Sequence, residues 1–377
     1  MKQFIVLFLM GIMIPLGGGA VDRPTDRELR QAIDSIYRPV YPNPLEPGAA
    51  IAVVKDGNIL AMNCYGVADL NTLAPITSAT QFCIASLSKQ FAAIALLQLC
   101  ADGRISLDDR LSKFFPEWES PVLSQVTLHH ILCHTSGIPD ARPRTDRNFV
   151  LYSTDIESAA YIERLQQLNF SPGSKYEYIN PTYQLIYQII PRVTGQDFES
   201  YMQQHIFDPA GMARTAYFEP DRHFPSPAHG YTPDKAGGYR EYDYGEETFF
   251  ATKADGALYT SIADFIRWQQ TLASGRILPL TWLKKAFAPH ITIQPGANYG
   301  YQPYTGYGYG FFIQQRPGRP DVVYHTGDNG GFTIYAATIP DQRLQLLFFS
   351  TRDNIDRMGL VNTTLDWLER HNWLNHG

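Results

Sequence analysis

The sequence predicts an α+β protein in which one sheet begins near the N-terminus, gives way to a mainly helical lobe, and is completed near the C-terminus. Three observations carry this expectation. Two strand-like runs meet at Asp56-Gly57, a hairpin turn signal; four more lie between residues 310 and 350; and the stretch from about 105 to 250 shows helical patches broken by many Gly and Pro without a repeat period. Helices and sheets must bury their apolar faces against one another, so this order implies two intertwined lobes with no linear linker. Their expected bounds are about 25–83 and 260–377 for the sheet lobe and about 84–259 for the helical lobe. A cleft between such lobes is a usual place for a ligand.

The elements follow in order. Asp26 to Tyr37 carries Leu29, Ile33, Ile36 and Tyr37 at helical spacing, and Gly48 to Asn63 reads as the hairpin. Lys89 to Cys100 is apolar nearly all round, which suits a buried central helix, and Gly103 is placed to end it. Pro181 to Val193 and Asp197 to Phe207 read as helices. Strands return at Gly310–Gln315, Val322–His325, Phe332–Ile339 and Leu344–Ser350, before a last helix with Ile355, Met358, Val361, Leu365 and Leu368 on one face.

A chain of 377 residues that is 44% hydrophobic can bury a sizeable core. Its net charge of -6 has no basic blocks behind it, which excludes the electrostatic footprint of a nucleic-acid binder. Residues 1–20 run from Met1-Lys2 through an apolar stretch, Phe4 to Leu16, to Gly18-Gly19-Ala20, the zones of a secretory signal. The expectation is export to the periplasm or medium, with a mature chain starting near Val21; an uncleaved N-terminal anchor is the alternative. No later run reaches the ~18 apolar residues of a spanning helix. Cys64, Cys83, Cys100 and Cys133 show no CxxC pairing and read as buried free thiols, although the sequence does not choose among three possible connectivities.

Ser86-Leu87-Ser88-Lys89 sits where the strand-like Gln81 to Ala85 meets the buried helix, so Ser86 and Lys89 share one helical face. A serine hydroxyl is a poor nucleophile, and an amine whose pKa is lowered by desolvation can take its proton. The helix start adds free N–H groups that suit a developing oxyanion. Tyr178-Ile179-Asn180 lies on a loop leading into a helix, with a tyrosine able to relay a proton and an amide able to hold lysine or a substrate carbonyl. His325-Thr326-Gly327 ends a strand with a polar donor, a hydroxyl and a glycine that lets another backbone approach. Each element alone is a common structural feature; their combination and order point to chemistry.

With these motifs the chain resembles the serine beta-lactamase and penicillin-binding-protein superfamily, in the branch of class C beta-lactamases, D-alanyl-D-alanine carboxypeptidases, D-aminopeptidases and related esterases. The resemblance extends to Gly103–Arg110, Leu132–Gly137, Asp208–Met212 and Asp255–Ser261 and covers roughly residues 25 to 370. It implies an α/β sandwich, an antiparallel sheet flanked by helices with a helical lobe inserted. It also implies Ser86 as nucleophile, Lys89 and Tyr178 as the base and acid pair, and Asn180 as a substrate-positioning amide. His325 then stands where the family has a strand lysine, with Thr326 and Gly327 beside the substrate, and the backbone N–H groups of Ser86 and Asp328 form the oxyanion hole. Replacing that lysine by His325 removes a permanent cation, and the Asp328 carboxylate is expected beside the oxyanion hole, so substrates lacking a free terminal carboxylate are favoured.

The resulting reading is an exported serine hydrolase acting on D-amino-acid peptides, peptidoglycan fragments or beta-lactam-like substrates. A carboxylesterase on the same scaffold and a catalytically idle binding protein are the alternatives. No cofactor is called for. His129, His130 and His134 cluster in sequence, but without H-E-x-x-H or a carboxylate partner a metal site is set aside, and His134–Gly137 reads as a structural turn in which Ser136 is no nucleophile. The stretch Tyr299 to Tyr309 is a candidate substrate rim. No G-x-S-x-G occurs, so a nucleophile-elbow hydrolase has no support.

Overall fold

The computed structural model describes residues 25–219, 223–244, 249–294 and 305–374. The leader expected at residues 1–20 lies outside them, as do Tyr299, Tyr301 and Tyr304 of the aromatic stretch. Among the described residues no helix is long and apolar enough to cross a membrane.

Among the described residues the main sheet has eight strands, numbered here in chain order: β1 (Ala49–Lys55), β2 (Asn58–Tyr65), β3 (Ile291–Thr292), β4 (Thr305–Tyr307), β5 (Phe312–Arg316), β6 (Arg319–Asn329), β7 (Phe332–Ile339) and β8 (Leu344–Ser350). They lie in the order β3-β4-β5-β6-β7-β8-β1-β2, and every neighbouring pair is antiparallel. The chain therefore leaves the sheet after β2, builds its helices, and returns at β3 to close against β1, with Ala49 opposite Ser350 and Lys55 opposite Leu344. Central β1 is buried on both faces, which is why Ala-Ala-Ile-Ala-Val-Val shows no polar alternation. The hairpin turn holds Asp56 at φ 51° and Gly57 at φ 83°, the two positive values that a two-residue type I′ turn requires.

Helices cover both faces. Asp26–Tyr37 begins with a capping box between Thr25 and Glu28, buries Leu29, Ile33 and Tyr37, and packs on β2 and on the C-terminal helix Arg357–Arg370, which reaches β7. Helix Ile262–Ala273 packs against β1 and β8. The arrangement is the expected antiparallel sandwich. Helix Ser88–Ala101 is the buried spine between sheet and helical region: it contacts Asn180–Thr194 and Leu280–Ala286, and Phe91 stacks on Trp268 with ring centroids 4.3 Å apart.

Several boundaries move for identifiable reasons. Strand β6 runs well beyond Val322–His325, because ladder pairing with β7 from Val323↔Thr338 to Asn329↔Phe332 carries the weak strand formers Gly327 to Asn329. The helix expected over Asp197–Phe207 is α-helical only over Phe198–Met202 and then widens into a π turn over Gln203–Phe207. The four cysteines are free, and Cys83, Cys100 and Cys133 are buried, whereas Cys64 on β2, the outermost strand at its end of the sheet, is exposed. Tyr307 and Tyr309 do not form a rim: both are buried, Tyr307 against His325 and Tyr309 against His129 and His290.

Candidate functional site

Ser86 is the one residue from Gln81 to Gln90 that is not fully buried. The short strand Gln81–Cys83 pairs with Leu258–Ser261, and the chain then turns through Ala85, held at φ 49°, into a 3₁₀ turn that continues as helix Ser88–Ala101. A left-handed non-glycine residue costs on the order of 1–3 kcal/mol and persists only where its surroundings enforce it. Here the enforcing neighbour is β6. A Cβ on Gly327 would lie 2.3 Å from the Ile84 carbonyl oxygen, so glycine is required for the strand backbone to seat against the Ile84–Ala85 backbone. This contact brings Gly327 and Asp328 alongside the Ser86 turn.

One helical turn after Ser86, Lys89 is 0% exposed, and its Nζ donates to Ser86 Oγ at 3.1 Å and to the Asp255 carbonyl at 2.9 Å. The Asp255 carboxylate lies 3.9 Å from the same Nζ and is held by Gln184 Nε2 at 3.3 Å. Burial, the dominant cause, lowers the Lys89 pKa to about 8 even though the Asp255 charge opposes the shift. An amine with that pKa is neutral in a minority of molecules near physiological pH, and in that form it can accept the serine proton along the same contact.

Asp255 is itself held by a turn. Asp155, fully buried, accepts from the Lys253 and Ala254 N–H groups at 2.6 and 2.9 Å. Burial first, then the neighbouring Asp255 charge, push the Asp155 pKa up to about 8, so it is mostly protonated at neutral pH. The sequence gives neither acid a role: Asp255 only opens the Asp255–Ser261 stretch and Asp155 is one carboxylate among many until the fold brings residues about 100 positions apart into one corner.

Tyr178 enters from the other side, with Lys89 Nζ 5.1 Å from its ring centroid. Asn180 is the first residue of helix Asn180–Thr194 and its Oδ1 is buried without a hydrogen-bond partner among the described residues. The loop carrying Tyr178 is fixed by His134, which was read from the sequence only as part of a turn. The His134 carbonyl accepts from the Glu177 N–H at 2.9 Å and its Nδ1 from the Ile179 N–H at 3.2 Å, so one residue grips the backbone on both sides of Tyr178. Its ring centroid lies 4.2 Å from that of Tyr178, and its own backbone sits at φ 56°. An H-x-S-G turn preceding the tyrosine loop was visible in the sequence; its reach of more than forty residues was not. Ser136, in the same turn, spends its Oγ accepting from the Ile138 N–H at 3.2 Å.

His325 is 1% exposed, with Nδ1 2.6 Å from the Thr326 carbonyl and Nε2 3.0 Å from the Tyr307 hydroxyl. Burial, followed by the charge of Lys89, depresses its pKa to about 3. The ring is therefore neutral, with both nitrogens occupied, and packs 4.8 Å from Phe312 and 6.3 Å from Tyr178 between centroids. This corrects the reading of His325 as a group offered to substrate: it lies behind the site. The Asp328 reading also changes. Its carboxylate pairs with Arg357 of the C-terminal helix at 2.7 Å, and alternation along β6 puts its side chain on the face opposite Gly327. Of the remaining histidines, His129 Nδ1 meets Tyr309 at 2.8 Å and His130 Nδ1 accepts from Thr127 N–H at 3.1 Å, closing a helix cap; with His134 turned toward Tyr178, the three do not converge.

The arrangement joins a partly accessible hydroxyl, a buried amine of lowered pKa, a tyrosine and a strand backbone, the parts of a serine acyl-transfer site. A family model described as Beta-lactamase matches residues 19–370. A D-aminopeptidase of Gluconobacter oxydans (strain 621H) is 29% identical over 304 residues, 80% of this chain and 55% of the relative, so the chain spans about half the length of that protein. Penicillin-binding protein 4* of Bacillus subtilis (strain 168) is 26% identical over 80% of this chain and 68% of its own. Among solved structures, the octameric penicillin-binding protein homologue from Pyrococcus abyssi superposes with a TM-score of 0.75 at 26% identity, covering 91% of this chain and 77% of that one.

Proposed function

The chain belongs to the beta-lactamase family, and from that premise we propose that this serine hydrolase forms an acyl-enzyme on Ser86 with D-amino-acid amides or peptides, Lys89 and Tyr178 moving the proton. The observation that carries the proposal is the 3.1 Å contact between Ser86 Oγ and a wholly buried Lys89 whose pKa is lowered to about 8. Neutral Lys89 takes the Ser86 proton as Oγ attacks the acyl carbonyl. The oxyanion is received by the N–H groups of Ser86 and Asp328, while Asn180 holds the substrate amide. Collapse expels the amine, which leaves protonated through Tyr178 and Lys89, and water attacks the ester by the reverse proton route.

A substrate without a free terminal carboxylate is part of the proposal. The neutral His325 supports it, since no cation stands at that position; the Asp328 carboxylate no longer contributes, being held by Arg357 on the other face of the strand. Similarity to a protein named D-aminopeptidase favours the same class over carboxypeptidase substrates, beta-lactams and larger peptidoglycan fragments. A carboxylesterase is the second reading, favoured by the same lack of a charged anchor. Export is also proposed, on the charged, apolar and small-residue order of residues 1–20.

Intact mass after exposure to a fluorophosphonate tests the nucleophile: one adduct is expected on the wild type and none on Ser86→Ala, whose turnover should fall by ~10³-fold or more. Labelling that survives Ser86→Ala defeats the mechanism. On a panel of D-alanine amide, an N-acyl-D-alanyl-D-alanine and p-nitrophenyl butyrate, the amide should give the highest kcat/KM. Turnover of the nitrophenyl ester alone would assign the esterase, and a preference for the free carboxylate would overturn the substrate class.

A further inference from the structure

Strands β6 and β7 are joined by a two-residue turn, Gly330 and Gly331 at φ 51° and 83°. Gly330 stands two residues after Asp328, whose N–H the Ser86 reading assigns to the oxyanion hole. A distant segment, 226–244, closes on this turn. A Cβ on Gly230 would lie 1.7 Å from the Gly330 carbonyl oxygen, so the two backbones touch with no side chain between them. The Tyr244 ring then covers the turn: a Cβ on Gly330 would lie 2.3 Å from Tyr244 Cδ1 and 2.5 Å from Cε1. The Tyr244 hydroxyl accepts from the Gly230 N–H at 3.0 Å and donates to Glu241 Oε1 at 3.4 Å, and its ring lies 4.7 Å from that of Phe250 between centroids.

The same segment holds the strand that leads to Ser86. The Gln81 N–H donates to the Ser226 carbonyl and the Ala228 N–H to the Gln81 carbonyl, both at 2.8 Å, while the Tyr231 N–H donates to the Thr351 carbonyl at 2.8 Å just past β8. One strap therefore ties the approach to one oxyanion donor, Ser86, to the turn behind the other, Asp328. Such donors act by standing fixed where charge develops, and a displacement of about 1 Å can cost ~10²-fold in rate. A Gly-Gly turn has no side chains of its own to resist that shift, so its rigidity comes from what packs on it.

We propose that Tyr244 is a positioning residue, which by clamping Gly330 holds the Asp328 N–H at the oxyanion. The inference rests on the Ser86 acyl-enzyme reading and adds to it a residue that touches none of Ser86, Lys89 and Tyr178 in the contacts described above.

The test compares Tyr244→Ala with Tyr244→Phe in the full chain, each rate expressed per site labelled by a fluorophosphonate at completion, so that unfolded protein is not counted. On the panel substrate of highest kcat/KM, Tyr244→Ala should lower kcat by ~10- to 100-fold, because the hole is engaged only as the oxyanion forms. KM should stay within ~3-fold, as for any interaction made in the transition state alone. Phenylboronic acid, whose tetrahedral adduct on Ser86 places an oxygen in the hole, should lose affinity by the same ~10- to 100-fold. Tyr244→Phe keeps the ring on Gly330 and loses only the hydroxyl's bonds, so it should remain within ~5-fold of wild type. Gly330→Ala, whose Cβ would strike the ring, should lower kcat in the wild type and add little in the Tyr244→Ala background. An unchanged per-site kcat in Tyr244→Ala, a change confined to KM, or fully additive effects of the two substitutions would overturn the positioning role. If Tyr244→Ala yields no folded protein, Gly330→Ala alone decides by the same kcat and boronate readouts. A wild type that takes no label at Ser86 overturns the Ser86 reading and this inference with it, whereas a wild type that labels beside a Tyr244→Ala of unaltered per-site kcat overturns this inference alone.

Discussion

Lys89, in the site, and His325, behind it, are two desolvated bases, and they end in different states. Both are buried almost completely, yet Lys89 keeps a pKa of about 8 while His325 falls to about 3. Most of that gap is intrinsic, since an ammonium ordinarily titrates at 10.5 and an imidazole at 6.5; the rest lies in the company each keeps. Lys89 has the Asp255 carboxylate at 3.9 Å, whose charge returns part of what burial takes from the ammonium. His325 has a carbonyl, a tyrosine hydroxyl and the positive fields of Lys89 and Arg357. Burial alone makes a base neutral; burial beside an acid makes one that can still exchange a proton near physiological pH.

The largest test of this contrast is Lys89→Met, which keeps the packing and removes the amine. Acylation of Ser86 should fall by ~10²- to 10⁴-fold, the range for a lost acid–base group, and the rate should no longer rise with pH. In the wild type the neutral amine is the active form, so kcat/KM should climb as pH rises through about 8. A stopped-flow acylation profile reads both effects, and a Lys89→Met variant with the wild-type rate would remove lysine from the mechanism.

Asp255→Asn breaks the contrast from the acid side. Asp255 raises the Lys89 pKa, so its removal should move the ascending limb to lower pH by up to about one unit, worth ~1.4 kcal/mol. Asp155, relieved of its charged neighbour, would ionise more readily and return part of that field, which is why the shift should not be larger. A limb displaced upward would show that Asp255 does not act on Lys89 by its charge.

The smallest effect is expected from His325→Gln, which keeps a polar side chain where the ring meets Tyr307. Because His325 is already neutral above its depressed pKa, the variant should leave the shape of the profile between pH ~5 and ~8 unchanged and cost less than the ~10²-fold of a lost acid–base residue. A new inflection near pH 6 in the wild type that vanishes in the variant would mean that His325 titrates there after all.

Helix Asp26–Tyr37, the Asp56-Gly57 hairpin and strands β7 and β8 were legible in the sequence, because each is specified by a local pattern: apolar periodicity, an Asp-Gly turn signal, short strand-like runs. Ser86 and Lys89 were legible for the same reason, since three residues on a helix is a local distance. Illegible were Asp155 and Asp255, whose meeting depends on a turn from a distant segment, and His134, whose grip on Glu177 and Ile179 spans more than forty residues.

What the sequence determined by itself, then, was the identity of the reactive groups and the elements that carry them, because short-range sterics and hydrophobic spacing act along the chain. The tertiary structure alone decided their charge states and their facing. Desolvation, carboxylate proximity and strand alternation are properties of the packed neighbourhood, and they brought the Lys89 pKa down to about 8, silenced His325, and turned the Asp328 carboxylate away to Arg357.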